Sequence, residues 1–187
     1  MKTSLRLFVL AVFAVAHTWN HLAAAAADGP LHPYQLTSSW KIGGEGGWDY
    51  VTLDQDGRLL YVTRFTHTMI VETSTGKSVA DIPGSLRAHG IALVPETGRG
   101  FISDGKDGSV IIFDLHTRAT LGKIAAAPDA DSIIYDPASR RVLVFCGDAH
   151  QMIAIAPDAD PINGKRVAAI DLGGSPEYAV ADGRGKV

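Results

Sequence analysis

The chain has 187 residues, of which 46% are hydrophobic and 20% are charged, a composition typical of a globular protein rather than a disordered one. The net charge is −3, so a general affinity for nucleic acid, which needs clustered Lys and Arg, is not expected. The single cysteine, Cys146, excludes an internal disulfide and ends an apolar run, which predicts a buried and unreactive thiol.

Residues 1–27 have the pattern of an export signal. Lys2 and Arg6 form a positive end, residues 7–16 are an apolar run too short to span a bilayer as a helix, and alanines precede the expected cleavage point. A retained membrane anchor is the alternative, although polar residues interrupt the apolar run. We therefore expect a periplasmic or secreted protein with no membrane span after signal removal, and a linker over residues 28–33.

The sequence after residue 48 repeats with a period near forty. Each repeat starts with a short apolar run, then has turn residues and a second apolar run. The starts, in chain order, are Asp49 to Asp54, His89 to Val94, Asp131 to Asp136 and Glu177 to Asp182. Such a period, built from short strands and turns, predicts a β-propeller with one four-stranded blade per repeat.

The predicted fold is all-β, a partial β-propeller of about three and a third blades. The predicted segments are a ring-closing strand over 34–43, blades over 48–84, 85–126 and 127–174, and the start of a further blade over 175–187. A propeller needs roughly four to eight blades to close its ring. We therefore expect a truncated chain, whose ring is completed by missing sequence or by another chain. Its open flanks would expose apolar sheet faces and allow self-association.

Several segments support a family resemblance. Tyr61-Val62-Thr63-Arg64 resembles the tetrapeptide that names the YVTN β-propeller repeats, with Arg64 where Asn is usual. The segments 46–49, 89–92 together with 98–101, 136–142 and 176–180 look like successive blades of exported bacterial YncE-like proteins. The resemblance implies a seven-bladed ring of unassigned or binding function, and some related propellers are lactonases or surface-layer proteins. The present chain departs from the family by lacking the second half of the ring.

Superposition of the repeats places Asp49, His89, Asp131 and Glu177 at one equivalent position, immediately before each innermost strand. Innermost strands line the channel of a propeller, so these side chains are expected to converge at its mouth. Carboxylates held close together favour a cation or a protonated partner, and Asp, Glu and His are ligands for divalent metals. The alternative is ordinary turn chemistry, in which Asp and His bond local backbone amides.

Arg64 follows a second strand and could hold an anionic ligand group near the same mouth, or could be a plain surface arginine. No cofactor is required by the sequence, although a divalent metal is compatible with the candidate positions. There is no Gly-x-Ser-x-Gly elbow, phosphate loop or His-Glu-x-x-His motif.

Two classes of function remain open from the sequence, beside a third interpretation in which the fragment has no activity because it lacks half its ring. The first is a binding or interaction scaffold for an unknown small molecule or protein. The second is a lactonase-like hydrolase with a divalent metal in the channel. A hydrolase should hold stoichiometric metal and lose activity when Asp131 or His89 is replaced, whereas a scaffold should tolerate either change.

Overall fold

The structure is a computed structural model that describes residues 34–185. The described part is all-β apart from one 3₁₀ turn at Pro95–Thr97. The strands are β1 Val51–Leu53, β2 Leu59–Thr63, β3 Phe65–Glu72, β4 Ser78–Val94, β5 Arg99–Asp104, β6 Ser109–Asp114, β7 Thr120–Ala125, β8 Ala130–Asp136, β9 Arg141–Cys146, β10 Gln151–Ile155 and β11 Ala168–Asp171. Within the described residues, no helix is long and apolar enough to cross a membrane.

The strands form three blades of four antiparallel strands. One sheet has the order β1-β2-β3-β4-β5-β6-β7 and the other the order β11-β10-β9-β8. Strand β4 is 17 residues long and serves two blades: Ile82 pairs with Thr68 of β3, and Ala92 pairs with Phe101 of β5. Gly84, with φ of 101°, lies between these halves. The seven-stranded sheet is thus two blades joined through β4, and the predicted all-β partial propeller is confirmed.

The blades pack face to face through the side chains of β6. Val110 to Phe113 are all fully buried, which explains an apolar run with no polar alternation. Ile111 and Phe113 enter the core shared with the first blade, and Val110 and Ile112 enter the core shared with the third. Successive side chains of a strand point to opposite faces, so one central blade needs apolar residues at every position.

Two predicted strands are not formed. Residues 34–39, described by themselves, are exposed and have no regular structure, and residues 40–50 also form no strand, so the ring-closing strand expected over 34–43 is absent. Residues 175–185, expected to begin a further blade, form no strand either. A β-strand satisfies its backbone N–H and C=O groups by pairing with a neighbouring strand, and neither segment has a strand partner among the described residues.

The outer faces of the first and third blades are partly covered by these irregular segments. In the first blade Met69 is buried, and its methyl group lies against Gly44. In the third blade Phe145 is buried and packs in a cluster that includes Ala179. The open apolar flanks expected from the sequence are therefore reduced to their rims, such as Ile170, and self-association through them stays a prediction.

Hydroxyl groups at the ends of second strands tie each blade to the next. Thr63 Oγ1 lies 2.7 Å from the carbonyl oxygen of His89, to which it donates. At the equivalent position of the second blade, Ser103 Oγ donates to the carbonyl oxygen of Asp131 and accepts from the Gly90 N–H at 2.8 Å. Both hydroxyl residues are fully buried. These bonds fix the residue that starts each following innermost strand.

Replacing Ser103 with Ala is expected to reduce the free energy of unfolding by about 1–3 kcal/mol, because the Asp131 carbonyl and the Gly90 N–H would lose a buried partner. Urea denaturation with an unchanged m-value measures this loss. The control is Ser74→Ala, at an exposed position. Equal stability of the two variants would contradict the role given to the Ser103 hydroxyl.

Candidate functional site at the channel mouth

Three of the four equivalent residues lie in contact. His89 Nδ1 is 2.6 Å from Asp49 Oδ2 and 3.5 Å from Asp131 Oδ1. One ligand-type atom from each of the three residues lies within 4.8 Å of the other two. Their backbones come from three different blades: Asp49 precedes β1, His89 lies in the second half of β4 and Asp131 lies in β8. We refer to these three residues as the mouth cluster.

The side chains of the mouth cluster differ in exposure to solvent, from a buried histidine to an accessible carboxylate. The His89 side chain is 6% exposed, that of Asp131 is 17% exposed and that of Asp49 is 35% exposed. A carboxylate accepts hydrogen bonds and does not donate them, so the short Nδ1 contact to Asp49 places the ring proton on Nδ1. His89 therefore contacts both carboxylates and is the most buried of the three residues, so a ligand from solvent would reach the carboxylates first.

The electrostatics of the mouth cluster are negative. Burial raises the pKa of Asp131; nearby His89 opposes this rise, and the carboxylates of Asp49, Asp129 and Glu177 add to it. Burial also raises the pKa of Tyr50 to about 12, with further contributions from Asp131, Asp49 and Glu177. Each of these groups resists taking on negative charge, first because it is partly buried and second because other carboxylates lie nearby. A cation bound at this point would relieve that repulsion.

Glu177, the fourth predicted residue, lies beside the mouth cluster but is not one of its members. Its side chain is exposed, and its carbonyl oxygen accepts a hydrogen bond of 2.9 Å from the Tyr50 hydroxyl. The next residue, Tyr178, stacks on Tyr50 with ring centroids 5.9 Å apart. The third blade carries Phe145 where Thr63 and Ser103 stand in the others, so Tyr50 supplies the hydroxyl that the repeat pattern lacks there.

Arg64 is engaged elsewhere. Its guanidinium donates to the carbonyl oxygens of Gly43, Gly44, Gly46 and Gly47 at 2.7 to 3.2 Å, and the residue is 8% exposed. These bonds use four of the five N–H groups of an arginine side chain. Arg64 therefore shapes the glycine loop that leads to Asp49. We assign it no direct contact with an anionic ligand.

Of the two residues equivalent to Arg64, Asp104 also binds the backbone of the segment that enters its own blade, but as an acceptor. Asp104, fully buried, accepts from the backbone N–H groups of Leu86 at 2.7 Å and Arg87 at 2.8 Å. Cys146 is the third member; it is buried, as predicted, and burial raises the pKa of its thiol to about 11. In the first two blades this position fixes the segment entering the blade's own innermost strand, so the approach of Asp49 and His89 is set from both sides.

An apolar groove starts at the mouth cluster. The residues following Asp49, His89 and Asp131 on the innermost strands line a cavity of about 550 Å³. Its walls include the aliphatic side chains of Val51, Ile91 and Ile133, and Tyr50 and Tyr178 lie at its edge. The groove therefore has mainly apolar sides, and three of its lining residues, Tyr50, Gly90 and Ser132, are chain neighbours of the mouth cluster.

Four residues of this region were not singled out from the sequence. Thr63 and Ser103 could have been recognised, since they recur at the 40-residue offset with a hydroxyl each. Tyr50 carries no periodic signal, because its partner at Glu177 lies 127 positions away. Asp129 precedes Asp131 by two residues in a turn with φ of 57°, and only its neighbours in the fold make it relevant.

Comparison with known proteins shows the fold and no more. No family model and no curated protein matches this chain. Hydrazine synthase of Kuenenia stuttgartiensis is similar in structure with a TM-score of 0.65, 14% identity and coverage of 78% of this chain and 42% of that one. A candidate 6-phosphogluconolactonase of Bacteroides fragilis has a TM-score of 0.64 and 16% identity, over 74% of this chain and 43% of that one. Both neighbours are β-propeller-like, and this chain spans less than half the length of each.

The raised pKa of Asp131 predicts a pH-dependent effect of Asp131→Asn. An acid whose pKa is higher in the folded state stabilises the fold below its unfolded pKa, and this contribution is lost as the pH rises through the folded pKa. The stability of Asp131→Asn relative to the parent should therefore improve as the pH rises from about 4, the ordinary pKa of an aspartate, through the raised pKa of Asp131. Urea denaturation of both proteins at several pH values measures the difference. A flat or opposite trend would show that Asp131 is not protonated more readily in the fold.

Arg64→Lys is expected to destabilise the fold by about 1.5–3 kcal/mol, because one ammonium group cannot reach carbonyls that a planar guanidinium spans. Hydrogen exchange should speed up over residues 43–47, the loop that Arg64 holds. Arg58→Lys, at an exposed position, is the matched control. If Arg64→Lys left loop exchange unchanged but weakened an anionic ligand, the assignment of Arg64 to the loop would be wrong.

Proposed function

We propose that this chain is an exported, YncE-like β-propeller that binds a small molecule carrying a positive charge, with the charged group at the mouth cluster and the body of the ligand along the apolar groove. The observation that carries this proposal is the contact of Asp49, His89 and Asp131, whose next residues along the chain line the groove. The export signal lies in residues 1–27, which are outside the described residues, so export rests on the sequence. The family likewise rests on the sequence resemblance.

The charge balance of the mouth cluster favours a cationic group. Two carboxylates share one histidine, and the carboxylate of Glu177 also raises the pKa of Asp131. Asp49 and Asp131 keep part of their side chains accessible, so an ammonium or guanidinium group could reach both. Opposite charges within about 4–6 Å favour the ionised carboxylates, which supplies binding energy from the repulsion already present.

The groove favours an apolar body for the same ligand. Its volume of about 550 Å³ is within the range of about 300–1,000 Å³ of ordinary ligand sites. Tyr178 is 67% exposed and stacked on Tyr50, so an aromatic face is available beside the carboxylates. A cation over such a face gains about 0.5–1 kcal/mol at an exposed site.

A metal-dependent hydrolase acting on a ring ester is the second candidate. The observation in its favour is the set of three ligand-type atoms within 4.8 Å. A divalent cation would supply Lewis-acid polarisation of the ester carbonyl. Binding on this side would require His89 Nδ1 to give up the proton that it donates to Asp49, which makes an organic cation the better fit.

The proposed function is tested with phenethylamine and its neutral analogue phenethyl alcohol, measured by isothermal titration calorimetry. The amine should bind at least about tenfold more tightly, since only its ammonium group can pair with Asp131 and Asp49. Asp131→Asn should remove this preference, and added salt should weaken amine binding because the site is partly exposed. Asp158→Asn, an exposed carboxylate outside both the groove and the mouth cluster, is the control.

Equal affinity for the amine and the alcohol, or a preference that survives Asp131→Asn, would overturn the proposed function. Turnover of a simple lactone that requires Zn²⁺ or Mn²⁺ and is abolished in Asp131→Asn but retained in Asp158→Asn would instead establish the hydrolase.

A further inference from the structure

The second ring nitrogen of His89 lies in a different environment from the first. Nε2 is buried and has no hydrogen-bond partner among residues 34–185, while the side chain as a whole is 6% exposed. Since Nδ1 carries the proton donated to Asp49, Nε2 of the neutral ring has a free lone pair. An unpaired polar atom in a packed region is unfavourable, so this nitrogen is available to a ligand.

Gly105 and Asp129 lie beside this nitrogen. A Cβ atom at Gly105 would stand 2.7 Å from His89 Nε2 and 3.2 Å from Asp129 Oδ1, so both atoms border the same small volume. Gly105 and Asp129 also line a cavity of about 430 Å³ that is separate from the apolar groove. Glycine at position 105 is what leaves the imidazole and the carboxylate facing one another without a side chain between them.

Asp129 is held in place by its backbone rather than by side-chain bonds. Its φ of 57° is in the left-handed region, which an aspartate adopts less readily than a glycine. The Gly147 N–H donates to its carbonyl oxygen at 3.0 Å, which fixes this turn. The carboxylate lies over Gly147, where a Cβ would approach Oδ2 to 2.6 Å. Two glycines from two blades thus make room for one carboxylate next to Nε2.

We propose that His89 Nε2 and Asp129 bind a divalent transition metal ion, with Asp49 acting as the residue that orients the imidazole. A carboxylate that accepts from Nδ1–H while the other ring nitrogen binds metal is a recurrent arrangement in proteins. Imidazole with carboxylate suits zinc and cobalt rather than calcium, which takes oxygen ligands. Gly105 and Asp129 also line the 430 Å³ cavity, which is the space nearest this pair that water or a ligand could occupy.

This site is different from a metal ion bound among the mouth-cluster carboxylates. There Nδ1, Asp49 and Asp131 would all be direct ligands, and Gly105 and Asp129 would have no part. At the proposed site, Asp49 keeps its hydrogen bond and acts through His89. The two arrangements therefore predict different effects for the same variants, and neither depends on binding of an organic cation in the groove.

The test uses the full chain, freed of metal with a chelator and carrying no polyhistidine tag, titrated with Zn²⁺ and Co²⁺ by calorimetry. We expect one equivalent to bind. Gly105→Ala should weaken binding by about tenfold or more, since its Cβ would fill the volume beside Nε2, and Asp129→Asn should do the same. Asp49→Asn should weaken binding by about 10–100-fold through lost orientation of the ring. Gly174→Ala, where an added Cβ meets nothing within 4 Å, and Asp158→Asn should bind as the parent does.

The ¹⁵N chemical shifts of the His89 ring in the unmodified protein give a readout that does not depend on any variant folding. Zinc at the proposed site should shift Nε2 and leave the proton on Nδ1. Loss of the Nδ1 proton on zinc addition, or unchanged affinity in both Gly105→Ala and Asp129→Asn, would place the metal elsewhere and overturn the proposal. The absence of zinc and cobalt binding to the parent would overturn it as well, while amine binding in the groove would still stand or fall on its own test.

Discussion

The structure depends on hydrogen bonds that pass from the end of one blade's second strand to the start of the next blade's innermost strand. Thr63 bonds the carbonyl of His89, and Ser103 bonds the carbonyl of Asp131. Apolar packing between blades is strong but not directional, so it would tolerate small sliding of one sheet on another. A buried hydroxyl that must reach one particular carbonyl does not. These two bonds convert a stack of sheets into an arrangement where side-chain atoms from three blades lie within 4.8 Å of one another.

The repeat position of Arg64 and Asp104 holds a neighbouring backbone segment in both blades, by a hydrogen-bond donor in one and an acceptor in the other. Arg64 donates to the carbonyls of a glycine loop, whereas Asp104 accepts from two backbone N–H groups. Both positions are buried, and both fix the segment that enters an innermost strand. What the fold needs here is that unpaired backbone groups near the axis find partners, since leaving them buried and unpaired costs free energy. A donor or an acceptor can meet that need, so an arginine and an aspartate both serve at this repeat position.

His89 joins the two proposed sites because its two nitrogens face different surroundings. Nδ1 is committed to Asp49 and lies close to Asp131, and this holds the carboxylates at the end of the groove. Nε2 lies on the side of Gly105 and Asp129, two residues that also line a separate cavity. The hydrogen bond on one side determines what the other side can do, since a proton on Nδ1 leaves the lone pair on Nε2. Any ligand that removed the Nδ1 proton would therefore also disturb the metal side.

The strand repeat, the three blades and the alignment of Asp49, His89 and Asp131 could be predicted from the sequence. Strand periodicity and turn residues are local properties, and here they recur at a fixed offset. The tertiary structure was needed to show that Arg64 donates to the carbonyls of the glycine loop and that Tyr50 bonds the backbone of Glu177. It was also needed to show that Asp129 and His89 Nε2 border the same small volume. It also decided that residues 34–43 and 175–185 form no strand, although their composition suits one. A strand, a hydrogen bond and a ligand site each require a partner that is close in space. A local sequence pattern does not show which distant residue that partner is.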